Sequence, residues 1–173
     1  MKLLYELNDT EYEFKGFTHT REIVRGIILD EENRICLEYI LDDDGFGHRD
    51  YYETPGGGMD KGEDHKITLD RECAEEIGYH CEVIKEIGCV IDNYNLIKRR
   101  NHNYYYLARR TTKCEKHQLA DEVQRIKDII WVDIDTAINL YENMQDELVG
   151  KIVKNRELPI LKLIKTTLQN HNL

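Results

Sequence analysis

A glycine-rich loop followed by an acidic helical segment restricts the fold of this chain more than any other stretch. Gly56-Gly57-Gly58 comes directly after a proline and gives the backbone unusual freedom. From about His65 to Ile77 the pattern becomes helical, and Gly78 stands where such a helix would end. Apolar residues recur every fourth position, at Leu69, Cys73 and Ile77. The sequence therefore predicts a loop and a helix that is anchored in the core along one face.

Three glutamates share a neighbouring face of this helix. Glu72, Glu75 and Glu76 fall at i, i+3 and i+4, and like charges at these spacings repel by roughly a few tenths of a kcal/mol per pair. A cation or several basic partners would therefore make the cluster favourable. Carboxylate oxygens are hard ligands that suit Mg²⁺ or Mn²⁺. The alternative is a solvated surface on which Arg71 pairs with Glu75.

The overall charge agrees with a ligand bridged by metal. The formal net charge of the 173 residues is −10, which would repel a phosphate backbone, so polymeric nucleic acid is not an expected partner. A small phosphorylated molecule meets the same repulsion, and divalent cations are the usual bridge between carboxylates and phosphates.

The chain is expected to form one domain, residues 1–173. It has only two prolines and no repeat, linker or low-complexity tract. No signal peptide or membrane-spanning run is recognisable, which favours a cytoplasmic location and no membrane partner. The cysteines are odd in number, lack a C-x-x-C spacing and are expected to be reduced: Cys36, Cys73, Cys81, Cys89 and Cys114.

The remaining pattern predicts a mixed α/β fold with helices packed on a central sheet. Strands are predicted at Glu22–Leu29, Ile35–Leu41, Tyr51–Thr54, Cys81–Asn93, Asn103–Ala108 and Ile129–Val132. Residues 42–45 are expected to form a solvated loop and residues 98–102 a hairpin connection. Asp133 or Asp135 is expected to cap a helix that begins near Thr136. Helical spacing returns over 148–168, with Pro159 as the first residue of a last helix.

The run from Gly57 to Tyr79 closely resembles the Nudix box, whose fixed positions are glycines, glutamates and one arginine. All seven are matched, by Gly57, Glu63, Arg71, Glu72, Glu75, Glu76 and Gly78. Cys73 and Tyr79 fill hydrophobic positions that are usually aliphatic, and neither carries charge. Seven identities at set spacings are far more specific than a lone glycine-rich loop. The resemblance covers roughly residues 22–141.

The resemblance implies an α/β/α sandwich with a mixed central sheet. It also implies metal-dependent hydrolysis of a diphosphate linkage in a nucleoside-diphosphate-linked small molecule, with Mg²⁺ as cofactor and Mn²⁺ as an alternative. Members are often dimers, so a homodimer is compatible with it. Its implied metal ligands are Glu72 and Glu76, then Glu75, and the backbone carbonyl of Gly57, for which a simple tight turn is the alternative.

Other roles implied by the resemblance are less fixed. Arg71 would brace a neighbouring glutamate, and Glu63 would brace or cap the N-terminal part of the helix without touching the metal. The general base is Glu72 or, on a later loop, Glu122, whose alternative is an exposed loop charge.

Substrate-binding residues are not identified by the sequence. Aromatic candidates for stacking on a base are Tyr51, Tyr52, Tyr94 and Tyr104–Tyr106, some of which must be core or surface residues. Arginines that could meet phosphates are Arg21, Arg25, Arg99 and Arg100, although a solvated face is the expectation for each.

The substrate itself stays open. Members that cleave ADP-ribose typically carry a proline shortly after the box, and none occurs here between Pro55 and Pro159. Members that cleave dinucleoside polyphosphates place a tyrosine in that region, and Tyr94 is near it without a clear register. Nucleoside triphosphates are equally compatible. Two rivals are a catalytically weak domain that senses a nucleotide and a purely structural domain, and the retained carboxylates favour an enzyme.

Overall fold

The computed structural model describes residues 1–45, 47–116 and 120–170, and for residues 120–122 and 170 it describes the backbone only. Its elements are β1 (Leu3–Asn8), β2 (His19–Leu29), β3 (Ile35–Asp44), β4 (Gly47–Glu53), β5 (Gly56–Gly58), α1 (His65–Ile77), β6 (Tyr79–Tyr94), β7 (Arg99–Lys113), α2 (Ala120–Arg125), β8 (Ile126–Val132), α3 (Ile134–Asn143) and α4 (Leu148–Asn170).

The strands form one mixed sheet. Its order is β1-β6-β7-β2-β3-β4, with β5 paired to β2 and β8 paired to β3. The β1/β6 and β2/β7 pairs are parallel, and the other pairs are antiparallel. The central pair runs in register from His19 beside Arg99 to Leu29 beside Arg109.

Helices cover both faces of this sheet, which confirms the predicted α/β/α sandwich. Alternation along β2 sends Val24 and Ile28 to one face, where they pack with Leu69 of α1. The intervening Ile27 belongs to the opposite core, which α3 and α4 cover with Tyr141 and other apolar side chains. Within the described part of the chain, no helix is long and apolar enough to cross a membrane.

Helix α1 has the predicted bounds, because its ends carry strong local signals. Asp64 caps the N-terminus by accepting hydrogen bonds from the backbone N–H groups of Lys66 and Ile67. Gly78 ends the helix with φ 74°, a left-handed conformation that favours glycine. Helix α3 begins at Ile134, and Asp133 caps it.

The acidic residues 42–44 belong to strand β3, so the prediction of a loop there is wrong. They pair with residues 47–49 at the start of β4. The Arg49 guanidinium binds Asp42 at 3.2 Å and Asp44 at 2.5 Å, which balances the like charges and lets the strand continue.

The connection between β6 and β7 also differs from the prediction. It comprises residues 95–98, closed by a hydrogen bond from Lys98 N to Asn95 O, so residues 99–102 belong to β7. Strand β7 extends this far because β2 pairs with it back to His19. Local polarity suggested a loop, whereas the neighbouring strand decides the boundary.

Pro159 lies inside α4, so the prediction that it begins a separate helix is wrong. Proline cannot donate to the carbonyl of the preceding turn. The helix continues across it because Ile160, Leu161 and Ile164 are buried in the core and hold the following turns in place.

A buried carboxylate fastens α4 to the sheet. Glu157 accepts hydrogen bonds from the backbone N–H of Thr54 at 2.9 Å and from the Tyr141 hydroxyl at 2.6 Å. The Arg156 guanidinium binds it at 3.0 Å and also reaches Glu53 of β4 at 2.5 Å. The end of β4, which leads into β5, is therefore fixed by α4.

We expect Glu157→Gln to lower the free energy of unfolding by about 3 kcal/mol or more, because it removes one charge from a buried ionic network. Glu142→Gln is the matched control, since Glu142 forms a half-exposed ion pair with Lys162 and should cost less than about 1 kcal/mol. Chemical denaturation measures both variants. Equal losses of unfolding free energy in the two variants would contradict a structural role for the buried Glu157 carboxylate.

Candidate active site

A cleft of about 570 Å³ opens between β5, α1, the central strands and α4. Glu72 and Glu75 of α1 line one side of it, together with Gly56–Gly58 of β5. Arginines of β2, β7 and α4 line another side. The cleft thus brings the predicted acidic helix face together with residues that are far apart in the sequence.

The β5 backbone lies unusually close to β2 and to α1. Gly56 has φ 140°, and a Cβ at this position would lie 2.1 Å from the carbonyl oxygen of Val24. A Cβ on Gly57 would lie 2.4 Å from Oε1 of Glu72. Gly57 is paired with Val24 in a strand, so it does not form the simple tight turn that was the alternative. Its missing side chain lets the backbone touch a carboxylate.

Arg71 connects three acidic side chains and the loop. Its guanidinium donates to Glu63 at 2.8 and 3.0 Å, to Glu72 at 2.8 Å and to Glu75 at 3.0 Å. It also donates to the carbonyl oxygen of Gly58 at 3.1 Å. These contacts have the geometry of the brace that the sequence predicts, and they orient α1 against β5.

Glu63 is the firmest partner of Arg71. The hydrogen bond from Arg71 lowers the pKa of the Glu63 carboxyl to about 2, and a hydrogen bond from the Thr68 hydroxyl adds to this effect. Glu63 is therefore ionised over the whole physiological range, and it holds the arginine rather than facing the cleft.

Glu76 is buried behind the wall of the cleft. Its Oε2 accepts a hydrogen bond from Gly56 N at 2.9 Å, and its Oε1 binds the Arg125 guanidinium at 3.0 Å. Arg125 itself lines the cleft. Glu72 and Glu76 therefore lie against consecutive glycines of β5, on the same side of α1, and Arg125 stands between Glu76 and the open cavity.

A second buried acid, Glu38 of β3, lies near Glu76. Burial raises the pKa of the Glu38 carboxyl well above its usual range, and the negative charge of Glu76 adds to the rise. Sequence reasoning missed Glu38, although a single acid inside the apolar run 35–40 was a usable signal. It also missed Arg125, for which the sequence carries no local signal.

The donor chemistry of this wall fits a divalent cation. Within the described residues, no group of three Asp, Glu, His or Cys side chains is already gathered to hold a metal, because Arg71 and Arg125 bind the carboxylates. The groups are nonetheless hard oxygen donors, and Gly57 provides close access to Glu72. Glu76 already binds a positive group, so a cation there would take the place of the Arg125 guanidinium.

The other sequence candidates separate into two groups. Arg21, Arg25 and Arg99 line the cleft, as do the buried Tyr51 and Tyr94. The expectation of a solvated face is wrong for Arg25, which is buried and binds Glu53 at 2.6 Å.

The remaining candidates lie elsewhere. Arg100 pairs with Glu6 outside the cleft. Tyr104 and Tyr106 pack on the His65 ring, and Tyr105 is a core residue. Tyr52 packs on Tyr39. The side chain of Glu122 lies outside the described residues.

A buried ionic network forms the floor of the cleft. Arg156 of α4 binds Asp92 of β6 at 3.2 Å and Glu53 of β4 at 2.5 Å. Asn101 and Asn103 of β7 donate to Asp92 at 2.6 and 2.7 Å. Arg25 of β2 joins it through Glu53. Sequence reasoning missed this network, since its members come from five different elements.

Comparison with known proteins gives one consistent result. A family model described as "NUDIX domain" matches residues 19–151. The "Methanol dehydrogenase activator" of Bacillus methanolicus is 30% identical in an alignment 131 residues long that covers 71% of this chain and 67% of that protein.

Two solved structures illustrate the likeness in fold. A NUDIX hydrolase from Nitrosomonas europaea has a TM-score of 0.58 and 16% identity, over 70% of this chain and 78% of that chain. An ADP-ribose pyrophosphatase from Streptococcus suis has a TM-score of 0.51 and 15% identity, over 82% and 88% respectively.

We expect Gly57→Ala to leave the melting temperature close to that of the wild type while weakening Mn²⁺ binding by about tenfold or more. The nearest atoms to the added Cβ would be the carboxylate atoms of Glu72, and we expect this flexible side-chain end to shift from its position while the backbone stays in place. Electron paramagnetic resonance measures bound Mn²⁺, and calorimetry measures melting.

Gly56→Ala is the matched comparison. Its Cβ would meet the Val24 backbone, and its φ of 140° disfavours any side chain, so we expect a loss of about 1–3 kcal/mol of stability. Unchanged Mn²⁺ binding by Gly57→Ala would show that the contact between Gly57 and Glu72 is not part of a metal site.

Proposed function

This chain belongs to the NUDIX domain family, and on that premise we propose that it hydrolyses a diphosphate linkage in a nucleoside-diphosphate-linked small molecule, with a divalent metal as cofactor. The products would be a nucleoside monophosphate and a second phosphorylated fragment or pyrophosphate. The observation that carries the proposal is the position of Glu72 and Glu76 against consecutive glycines at one wall of a cleft.

We assign the metal to Glu72, Glu75, Glu76 and the carbonyl oxygen of Gly57, with Mg²⁺ as the expected ion and Mn²⁺ as a substitute. When bound, such an ion neutralises charge on phosphoryl oxygens and lowers the pKa of water. Arg71 holds Glu72 and Glu75 at hydrogen-bond distance from one guanidinium nitrogen. This contact holds the two carboxylates side by side where they line the cleft.

The chain's own residues supply the remaining steps. Glu72 faces the cleft and is the first candidate to accept a proton from the attacking water. Glu122 is the second candidate. If Glu76 held the cation, the Arg125 guanidinium, which binds Glu76 and lines the cleft, would become available to the anionic substrate. The charge of the buried Glu76 would stay balanced by either partner.

A hydrolysis screen tests the proposal. Nucleoside triphosphates, ADP-ribose, dinucleoside polyphosphates, nucleotide sugars and coenzyme A would be incubated with the protein and Mg²⁺ or Mn²⁺. We expect the protein to cleave at least one of these classes at a diphosphate linkage. Chelation of the metal should abolish this cleavage. Nucleotide binding without turnover across the whole screen would instead favour the sensor function.

We expect Glu72→Gln to reduce the initial rate by at least about 100-fold, because it removes a metal-binding charge and a proton acceptor. The amide keeps the size of the carboxylate and still accepts a hydrogen bond from Arg71, so the protein should melt normally. The rate is measured at saturating Mg²⁺ on the best substrate of the screen.

Glu115→Gln is the control for this substitution. Glu115 is exposed and outside the box, so its loss should change the rate little. If Glu72→Gln melts normally and keeps more than about half of the wild-type rate, where a 100-fold loss is expected, Glu72 is not catalytic.

Calcium provides an independent test of the metal's role. We expect Ca²⁺ to bind the carboxylates but to support far slower turnover than Mg²⁺ or Mn²⁺, because its larger and looser coordination positions phosphate and water less strictly. Initial rates at saturating concentrations of each ion make the comparison. Equal rates with Ca²⁺ would contradict the assigned role of the metal.

A further inference from the structure

The cleft has a second, basic wall that the proposed hydrolysis does not use. Arg21, Arg25 and Arg99 line it from β2 and β7, and Arg156 lines it from α4. A chain with a formal net charge of −10 thus groups on this wall four of the seven arginines that, among the described residues, line the cavity. Such a concentration of charge favours an anionic ligand at that place.

The four arginines are not equivalent. Arg25 and Arg156 belong to the buried network, where Glu53 binds both of them and Asp92 binds Arg156. They form the fixed floor. Arg21 lies nearer the solvent and makes no ion pair with any of the residues that the structure describes.

Arg21 and Arg99 lie on the same side of the sheet. Arg21 is in register with Asn101 in the parallel β2/β7 pair, and Arg99 precedes Asn101 by two residues, so alternation turns all three toward the cleft. Two residues along one strand and one strand across separate their Cα atoms by about 8 Å. Two long arginine side chains can close this gap on a single phosphate.

The electrostatics of Arg99 agree with this geometry. Burial lowers the pKa of the Arg99 guanidinium to about 10, and the positive charges of Arg21, Arg156 and Arg25 act in the same direction, against Asp92. A bound anion would relieve this repulsion. Arginine also binds phosphate through two parallel hydrogen bonds, which a compact ammonium cannot do.

The pair also lies next to the carboxylate wall. The Arg21 guanidinium packs against Gly58, where an added Cβ would lie 2.3 Å from Nη2. Gly58 follows Gly57, which touches Glu72, and Arg21 and Glu72 both line the same cleft. One phosphorylated molecule can therefore reach both walls at once.

We propose that Arg21 and Arg99 form a subsite for a further phosphate group of the substrate, beyond the diphosphate that is cleaved. This inference rests on the proposed hydrolysis and narrows its substrate class to diphosphate compounds that carry at least one additional phosphate. A nucleoside triphosphate or a nucleotide with a ribose phosphate meets this requirement. A plain nucleotide sugar does not.

Binding of inorganic pyrophosphate in the presence of a chelator tests the subsite without any turnover. We expect Arg21→Gln and Arg99→Gln each to weaken binding by about tenfold or more, as for loss of a charge-assisted hydrogen bond. Arg100→Gln is the matched control, because Arg100 neighbours Arg99 but pairs with Glu6 outside the cleft. Equal binding by the wild type and both cleft variants would overturn the proposal.

Matched substrate pairs provide the second test. Coenzyme A and dephospho-coenzyme A, NADP and NAD, and ATP and ADP each differ by one phosphate. We expect the wild type to have the higher kcat/KM for the more phosphorylated member of at least one pair. Arg21→Gln and Arg99→Gln should lower that value about tenfold more than the value for its partner, and Arg21→Lys should retain part of the preference.

The outcomes separate this proposal from the proposed function. The wild type could hydrolyse its substrates without preferring the additional phosphate, or the arginine variants could lose kcat/KM equally on both members of every pair. Either result would contradict the proposed subsite but not the proposed hydrolysis. If pyrophosphate binding depends on Arg21 and Arg99 but no compound is hydrolysed, the result would support the proposed subsite and contradict the proposed hydrolysis. Arg21 is exposed, so its variants report on binding without a loss of folding.

Discussion

The close contact between the β5 backbone and the carboxylates of α1 is the constraint on which the site depends. Gly56 N donates to Glu76, a Cβ on Gly57 would overlap the Glu72 carboxylate, and the Gly58 carbonyl accepts from Arg71. Any side chain at the first two positions would push the strand away from the helix or the carboxylate away from the strand. The glycines therefore bring backbone and acid together, and the β2/β5 pairing fixes the glycines. The chemistry of this side of the cleft therefore depends on the register of the β2/β5 pair as much as on Glu72 and Glu76.

Charge balance explains why so many arginines surround these acids. A buried ion pair seldom stabilises a fold more than well-packed apolar residues would, whereas a buried charge that loses its partner costs several kcal/mol. An ionised buried acid near the cleft therefore needs a positive partner: Arg125 for Glu76, and Arg25 with Arg156 for Glu53. The network on the floor joins β4 and β6 to α4, which is why a C-terminal helix far from the box in sequence contributes to the cleft. This network fixes the positions of β4, β6 and α4 rather than stabilising the fold more than apolar residues would.

The sequence predicted what depends on local signals and missed what depends on pairing between distant segments. Helix α1 was predicted to its terminal residues because the apolar spacing and Gly78 act within that segment, and the structure adds Asp64 as its N-terminal cap. The wall of Glu72 and Glu76 followed from helical periodicity and from the box. The grouping of Arg21 with Arg99 could not be predicted from the sequence, because only the parallel β2/β7 register brings them together. The same register extends β7 to Arg99, and packing against the core carries α4 through Pro159; neither effect is visible in local composition.

Acidic and basic side chains line different walls of the cleft. Carboxylates of α1 and an arginine pair on β2 and β7 line the same cavity, so a substrate with unevenly distributed phosphates has one favourable orientation. Phosphates that reach the acidic wall need a cation between them and Glu72, whereas phosphates that reach Arg21 and Arg99 need none. In the proposed function, metal dependence and phosphate number are two separate requirements, each tied to its own wall. A chain that is acidic overall can in this way select a highly charged anion, because the local field at the cleft, and not the net charge, acts on the bound molecule.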